Sequence, residues 1–175
     1  HSRNLALSAA FEPGSTMKTI TFAAAIEAGV VHPEESIDCE NGKYKLGRHT
    51  IRDSHKSNWL TVREVFKHSS NIGTLKIALA LGEQRLKDKI QELHFGEKLG
   101  LGLNSEPRGR LPKKETWGQT RLSTISFGHG LMVSSLQLVA AVGAIANDGH
   151  WQKPRIIQRV TNAFGEQVLE IPQPE

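Results

Sequence analysis

The residues predict a helix-dominated chain with short strands at intervals, and three features carry that expectation. Residues 17–29 are apolar at nearly every position, with Pro13 and Gly14 in front and Gly29 and Pro33 behind, the layout of a buried helix with both ends marked. Two further helices are announced by capping residues: Thr61-Val62-Arg63-Glu64 before Val65 and Phe66, and Ser134-Ser135-Leu136-Gln137 before Leu138, Ala141, Val142 and Ile145. Short runs broken by Asn41-Gly42 and by Leu46-Gly47-Arg48 read as strands joined by turns.

In order, residues 1–14 read as an extended lead-in to the buried helix, and Pro33-Glu34-Glu35-Ser36 opens a loop. Glu34 and Glu35 are adjacent, so their carboxylates point apart and suit a surface better than a glycosidase pair. Residues 38–53 form the short strands. The capped helix from Val62 runs to Lys67-His68, and Ser69-Ser70-Asn71 lies at the junction with another helix through Leu75, Ile77, Ala78 and Leu81 to Gly82. Residues 83–93 make a charged amphipathic helix carrying Leu86, Ile90 and Leu93. Residues 95–112 are Gly-rich and irregular, Trp117 closes that segment, and Ser126-Phe127-Gly128-His129-Gly130 is a turn of small residues that permits close backbone approach. After the apolar helix stopped by Asn147-Asp148-Gly149, residues 154–160 and 167–171 read as two strands across a turn at Asn162-Ala163-Phe164-Gly165.

Composition narrows the function classes. The 175 residues, 38% hydrophobic and 23% charged, suffice for one globular domain or a large piece of one. No apolar run reaches the ~18 residues of a membrane span, and there is no signal-peptide layout. The net charge of +4 is spread along the chain instead of being gathered with aromatics into a stripe, which argues against nucleic-acid binding. The lone Cys39 can form no internal disulfide, and no two of the eight His stand at a helical ligand spacing, so neither a metal nor another cofactor is expected.

The chemistry concentrates at the mouth of the buried helix. Ser15 and Lys18 are three residues apart and share a helix face. A serine hydroxyl needs a base to become a nucleophile, and a lysine desolvated near a helix N-terminus can have its pKa lowered enough to act as one. Free N–H groups at the helix start could face an oxyanion. The same residues also read as an N-cap and a solvated first-turn lysine, and roughly one Ser-x-x-Lys arises by chance in a chain of this length. Ser69 and Asn71 likewise read either as caps or as polar groups brought to the site. His68 beside Ser69 does not make a serine–histidine pair, since adjacent helical residues point apart and no carboxylate is placed to orient the ring.

Taken together, Glu12-Pro13-Gly14-Ser15-Thr16-Met17-Lys18 and Ser69-Ser70-Asn71-Ile72-Gly73-Thr74 resemble the first two active-site motifs of penicillin-binding proteins. Supporting matches are Cys39-Glu40-Asn41-Gly42-Lys43-Tyr44, Ile51-Arg52-Asp53-Ser54-His55, Phe95-Gly96-Glu97-Lys98-Leu99-Gly100 and Gly128-His129-Gly130 leading into Ser134-Ser135-Leu136-Gln137-Leu138, all in family order. The Glu-Pro-Gly-Ser form is most similar to the monofunctional class B D,D-transpeptidases of septation and elongation. The resemblance implies an α/β (α+β) fold of the penicillin-binding transpeptidase and serine β-lactamase type, an antiparallel sheet with helices on both sides. Residues 1–175 would be a single, incomplete transpeptidase domain, mainly its helical lobe with part of the sheet.

By the same resemblance Ser15 would attack the D-Ala-D-Ala carbonyl of a peptidoglycan stem peptide and Lys18 would take its proton. Ser69 would relay a proton to the leaving group, and Asn71 would hold Lys18 and the substrate backbone, with Ser70 a further substrate-binding candidate. β-Lactams would acylate Ser15. Membrane proteins of cell division or elongation would be partners, and the location would be the outer face of the cytoplasmic membrane, with the anchor in a segment outside this chain. The family's third motif, Lys-Thr-Gly on an edge strand, is absent. Lys98-Leu99-Gly100 matches it only superficially, and the motif is expected after the strands that follow Lys153, beyond Glu175. The chain alone would then have little activity and would leave apolar surface and strand edges bare, inviting partial unfolding or dimers. The other readings are a β-lactamase or β-lactam sensor, a D,D-carboxypeptidase, and a catalytically silent interaction module.

Overall fold

The computed structural model describes residues 4–102, 106–113, 117–157 and 159–169. The lead-in is not extended throughout: Leu5–Ser8 makes one helical turn, α1, and Ala10–Phe11 a two-residue strand, β1. Gly14–Met17 is a turn of 3-10 helix that continues directly into α2, Lys18–Glu27. The next segment holds β2 (Ser36–Asp38), β3 (Lys43–Leu46), β4 (His49–Arg52) and β5 (Trp59–Thr61), the last not anticipated from the sequence. These strands form two separate antiparallel pairs, β2 with β5 and β3 with β4.

The helical part follows. The capping box is present as read: Thr61 and Glu64 bond reciprocally at the start of α3, Val62–Lys67. Ser70 caps α4, Asn71–Leu81, and α5 spans Glu83–Glu92. Residues Gly118–Ser126 form α6, which the sequence did not announce, because Gln, Thr, Arg and Ser dilute its apolar face. The two-residue β6 (Val133–Ser134) leads into α7, Ser135–Ala146, whose capping box pairs Ser134 with Gln137. Both C-terminal strands expected are present and pair, as β7 (Val160–Thr161) and β8 (Gln167–Leu169), but the first is much shorter than expected, residues 154–157 being irregular. Residues 158, 170 and 171 of that expectation lie outside the described ones.

Helix α2 is the axis of the fold because both of its sides are buried. One side gives Met17, Ile20 and Ala24 to a core shared with Ala78 and Leu81 of α4, Leu86 and Ile90 of α5, Leu122 and Ile125 of α6, and Ala141 and Ala144 of α7. The other gives Phe22 and Ala25 to a second core with Cys39, Val62, Val65 and Ile77. Each fully buried aliphatic side chain contributes about 1.5–3 kcal/mol. The burial is not complete all round, as the apolar run suggested. Ile26 is exposed and, with Thr19, Ala23, Phe66 of α3 and Ile145 of α7, lines an open apolar hollow of about 300 Å³.

Helices α3 and α4 meet so closely that Gly73 has no room for a side chain: a Cβ there would lie 2.4 Å from Val65 Cγ1 and 2.7 Å from Cγ2. Ala is favoured over Gly in a helix interior by about 0.5–1 kcal/mol, while forcing a methyl into a packed core costs about 1–3 kcal/mol. Overpacking wins. Gly73→Ala is expected to lower the melting temperature by about 2–6 °C, readable by circular dichroism; an unchanged or higher melting temperature would contradict this packing.

Candidate active site

Two long-range connections bring the sequence-predicted residues together. The first joins α2 to α4. Lys18, the first residue of α2, is 2% exposed, yet all three ammonium protons find acceptors: Ser69 O at 2.5 Å, Ser69 Oγ at 2.9 Å and Asn71 Oδ1 at 2.8 Å. Ser69 reaches the amine twice because of its backbone. It follows the end of α3 with φ of 55°, a left-handed conformation usually left to glycine, while its N–H bonds Phe66 O and that of Ser70 bonds Val65 O. Burial lowers the Lys18 pKa to about 8, and the Asp53 charge partly opposes that fall. At pH 7 roughly a tenth of the amine is then free base, against about one part in three thousand for an ordinary lysine.

The second connection fixes the turn that carries Ser15. Strands β1 and β6 pair antiparallel, Phe11 opposite Val133, which lays residues 12–14 beside residues 128–130. Gly14 N–H donates to Gly128 O at 3.0 Å, Gly130 N–H donates to Glu12 Oε1 at 2.8 Å, and His129 Nδ1 lies 3.1 Å from Glu12 Oε2. The Gly130 amide, with the His129 ring, holds the Glu12 carboxyl below the usual range. Deeper in, Thr21 Oγ1 of α2 donates to Ser126 O at the end of α6 at 2.8 Å. Ser15 thus sits in a turn held from both sides, its side chain exposed.

The geometry differs from the sequence expectation at Ser15 and at Ser70. Helical spacing predicts reach between Lys18 and Ser15, whereas Ser15 stands in the 3-10 turn and the amine bonds Ser69 and Asn71. Ser15 and Ser69 are exposed, while the Lys18 side chain that Ser69 holds is buried. Ser70, a substrate-binding candidate from the sequence, is instead buried as the α4 cap, accepting from Gly73 N and donating to Asp53 Oδ2. His68 is exposed at the end of α3. Lys98-Leu99-Gly100 is not on a strand; the N–H groups of Leu99, Gly100 and Leu101 all bond the buried Glu106 carboxylate. Among the described residues no three His, Cys, Asp or Glu side chains are grouped to hold a metal.

Sequence reasoning missed the roles of Asp53 and Glu12, although both lay inside the segments that carried the resemblance. Asn71 Nδ2 donates to Arg52 O at 3.0 Å, so the end of β4 and Lys18 grip the two ends of one amide.

The description "Penicillin binding protein transpeptidase domain" belongs to the family whose profile matches residues 1–174. PbpB of Mycolicibacterium smegmatis is 36% identical over 174 residues, covering 98% of this chain and 26% of that protein. The peptidoglycan D,D-transpeptidase FtsI of Escherichia coli K12 is 34% identical over 167 residues, covering 95% of this chain and 28% of that one. Among solved structures, the apo transpeptidase domain of Burkholderia pseudomallei penicillin-binding protein 3 superposes with a TM-score of 0.86 at 33% identity, over 94% of this chain and 49% of that one. Penicillin-binding protein 3 of Mycobacterium tuberculosis, solved in complex with aztreonam, gives a TM-score of 0.87 at 33% identity, over 98% and 38%. The chain belongs to the penicillin-binding protein transpeptidase family and has its α/β fold. It spans about a quarter of the length of those two relatives.

Gly128 is the tightest point of the clamp on the Ser15 turn. A Cβ there would fall 1.9 Å from Gly14 O and 2.5 Å from Gly14 N, and φ is 86°; at Gly130, with φ of 80°, the nearest atom is Thr124 Oγ1 at 3.9 Å. Gly130→Ala is expected to cost about 1–2 kcal/mol of backbone strain alone. Gly128→Ala must also displace main chain and is expected to cost about 3 kcal/mol or more. Equal losses in a denaturant titration of the two variants would contradict the close approach.

Proposed function

We propose that this chain carries the nucleophilic half of a peptidoglycan D,D-transpeptidase site. The observation that carries the reading is the buried Lys18 amine, held by Ser69 and Asn71 and lowered to about pKa 8, three residues from an exposed serine. In its free-base form Lys18 takes the Ser15 proton as Ser15 Oγ attacks the D-Ala-D-Ala carbonyl. The Oγ–carbonyl bond forms, the terminal amide C–N bond breaks, and the proton passes through Ser69 to the departing D-Ala amine. The amine of a second stem peptide then accepts the acyl group, giving a cross-link and restoring the Ser15 hydroxyl. Asn71 holds Lys18 and bonds the substrate backbone. A β-lactam acylates Ser15 by the same first step, a reading supported by the aztreonam and ampicillin complexes of the Mycobacterium tuberculosis relative.

An open groove of about 880 Å³ bordered by Gly130 and lined by Arg110, Lys113 and Arg121 offers a basic path for an acidic peptide such as a wall stem. The reading places the protein in the bacterial envelope on the outer side of the cytoplasmic membrane, with division or elongation membrane proteins as partners. No helix among the described residues is long and apolar enough to cross a membrane. It treats residues 1–175 as one part of a larger domain and assigns turnover to that domain, since no Lys-Thr-Gly occurs among these residues to add a second oxyanion donor and a strand for the substrate.

Labelled penicillin tests this directly. The protein extended to the full domain is expected to form a covalent adduct on the peptide containing Ser15, and Ser15→Ala to abolish it. The 175-residue chain by itself is expected to label at least about 100-fold more slowly. Absence of an adduct on the full domain would remove the reading, and a label surviving in Ser15→Ala would place the nucleophile elsewhere.

A further inference from the structure

Asp53, the residue that follows β4, ties down the end of the polar triplet and the residue after it. Asp53 Oδ2 accepts from Ser70 Oγ at 2.6 Å, and Oδ1 accepts from Asn71 N at 2.6 Å and from Ile72 N at 3.0 Å. Ser70 Oγ accepts from Gly73 N at 2.9 Å. The first three N–H groups of α4, which a helix leaves without internal partners, are therefore satisfied by one carboxylate and one hydroxyl. The preceding carbonyl, Arg52 O, takes the Asn71 side-chain amide.

This matters for Ser69 and Asn71 because neither would hold its place unaided. Ser69 occupies a left-handed backbone conformation that costs a non-glycine residue about 1–2 kcal/mol, and such a conformation persists where neighbours over-determine it. With Ser70 and Asn71 tied to Asp53, only a narrow range of Ser69 backbone geometry remains. That geometry delivers both its carbonyl and its hydroxyl to Lys18. Among the described residues Asp53 is the charged side chain acting on the Lys18 amine, which α4 otherwise meets with neutral groups. Around Asp53 itself stand the Cys39 thiol, 3.6 Å from Ser70 Oγ and pushed up by burial, with Lys76 of α4 and Asp38 of β2 acting on that thiol.

We propose that Asp53 is a positioning residue of the site: it fixes the α4 turn from which Ser69 and Asn71 grip Lys18, and it sets a negative charge against that amine. The inference rests on the proposed serine chemistry for its consequence, which is control of how much Lys18 is free base. Its test reads the amine and needs no turnover, so the two can fail separately.

The test is a ¹³C NMR titration of the Lys18 side chain in the full domain, with the resonance assigned by its loss in Lys18→Met. Asp53→Asn keeps an acceptor for the α4 amides and removes the charge; Asp53→Ser does the same with a smaller cap. Both variants are expected to fold, by circular dichroism, and to titrate at Lys18 about one pH unit below the wild type, because the opposing charge is gone. An unchanged or raised midpoint in a folded variant would overturn the proposal. Failure of both variants to fold would also overturn it, leaving Asp53 a purely structural cap.

Discussion

A lysine ammonium with almost no exposure is the constraint on which the rest of this structure depends. Such a charge is costly to bury unless each proton is bonded, and here the bonds come from residues 51 and 53 positions away. The start of α2 cannot move without the start of α4 moving with it. The strain at Ser69, the carboxylate over the first turn of α4 and the tight approach of α3 to α4 at Gly73 are consequences of holding those acceptors in place. A neutral side chain at position 18 would relieve the desolvation and leave three oxygens turned toward nothing.

The other side of the site is held by main chain. Glu12 and Gly14 grip residues 128–130 through two backbone amides, across more than a hundred residues of sequence, and Thr21 ties α2 to the end of α6. A helix start fixed from two directions leaves the backbone that carries Ser15 little freedom, and under the proposed chemistry that is where proximity would contribute to rate. It also separates two requirements that conflict in one residue. Under the proposed chemistry the serine stays accessible as nucleophile, while the amine that would shed its proton stays dry.

What could be read from the sequence divides along the same line. Interactions within one turn were legible: the boxes at Thr61 with Glu64 and at Ser134 with Gln137, the buried stretch that became α2, and the turn that links β7 to β8. Ser15, Lys18, Ser69 and Asn71 were found through their motifs, and the structure brings Lys18, Ser69 and Asn71 into direct contact. Partners distant in the chain left no local signal. Nothing near Asp53 announces that it will cap a helix 18 residues on, and two-residue strands such as β1 and β6 have too few side chains to set a pattern. Residues 154–157 carry strand-like side chains, but a strand is defined by its neighbour, and there Ile156 and Ile157 stand exposed. Val139 and Val142 on α7 are exposed for the same physical reason, being apolar without an opposing surface.

The most direct measurement of the central claim is the pH dependence of penicillin acylation at Ser15 in the full domain. Free base accumulates as pH rises through the amine's pKa, so the rate should climb about tenfold per unit below pH 8 and level above it. A rate that does not vary between pH 6 and 9, or that keeps climbing past pH 10 as an ordinary lysine would require, would contradict a dry, triplet-held amine as the base that serves Ser15.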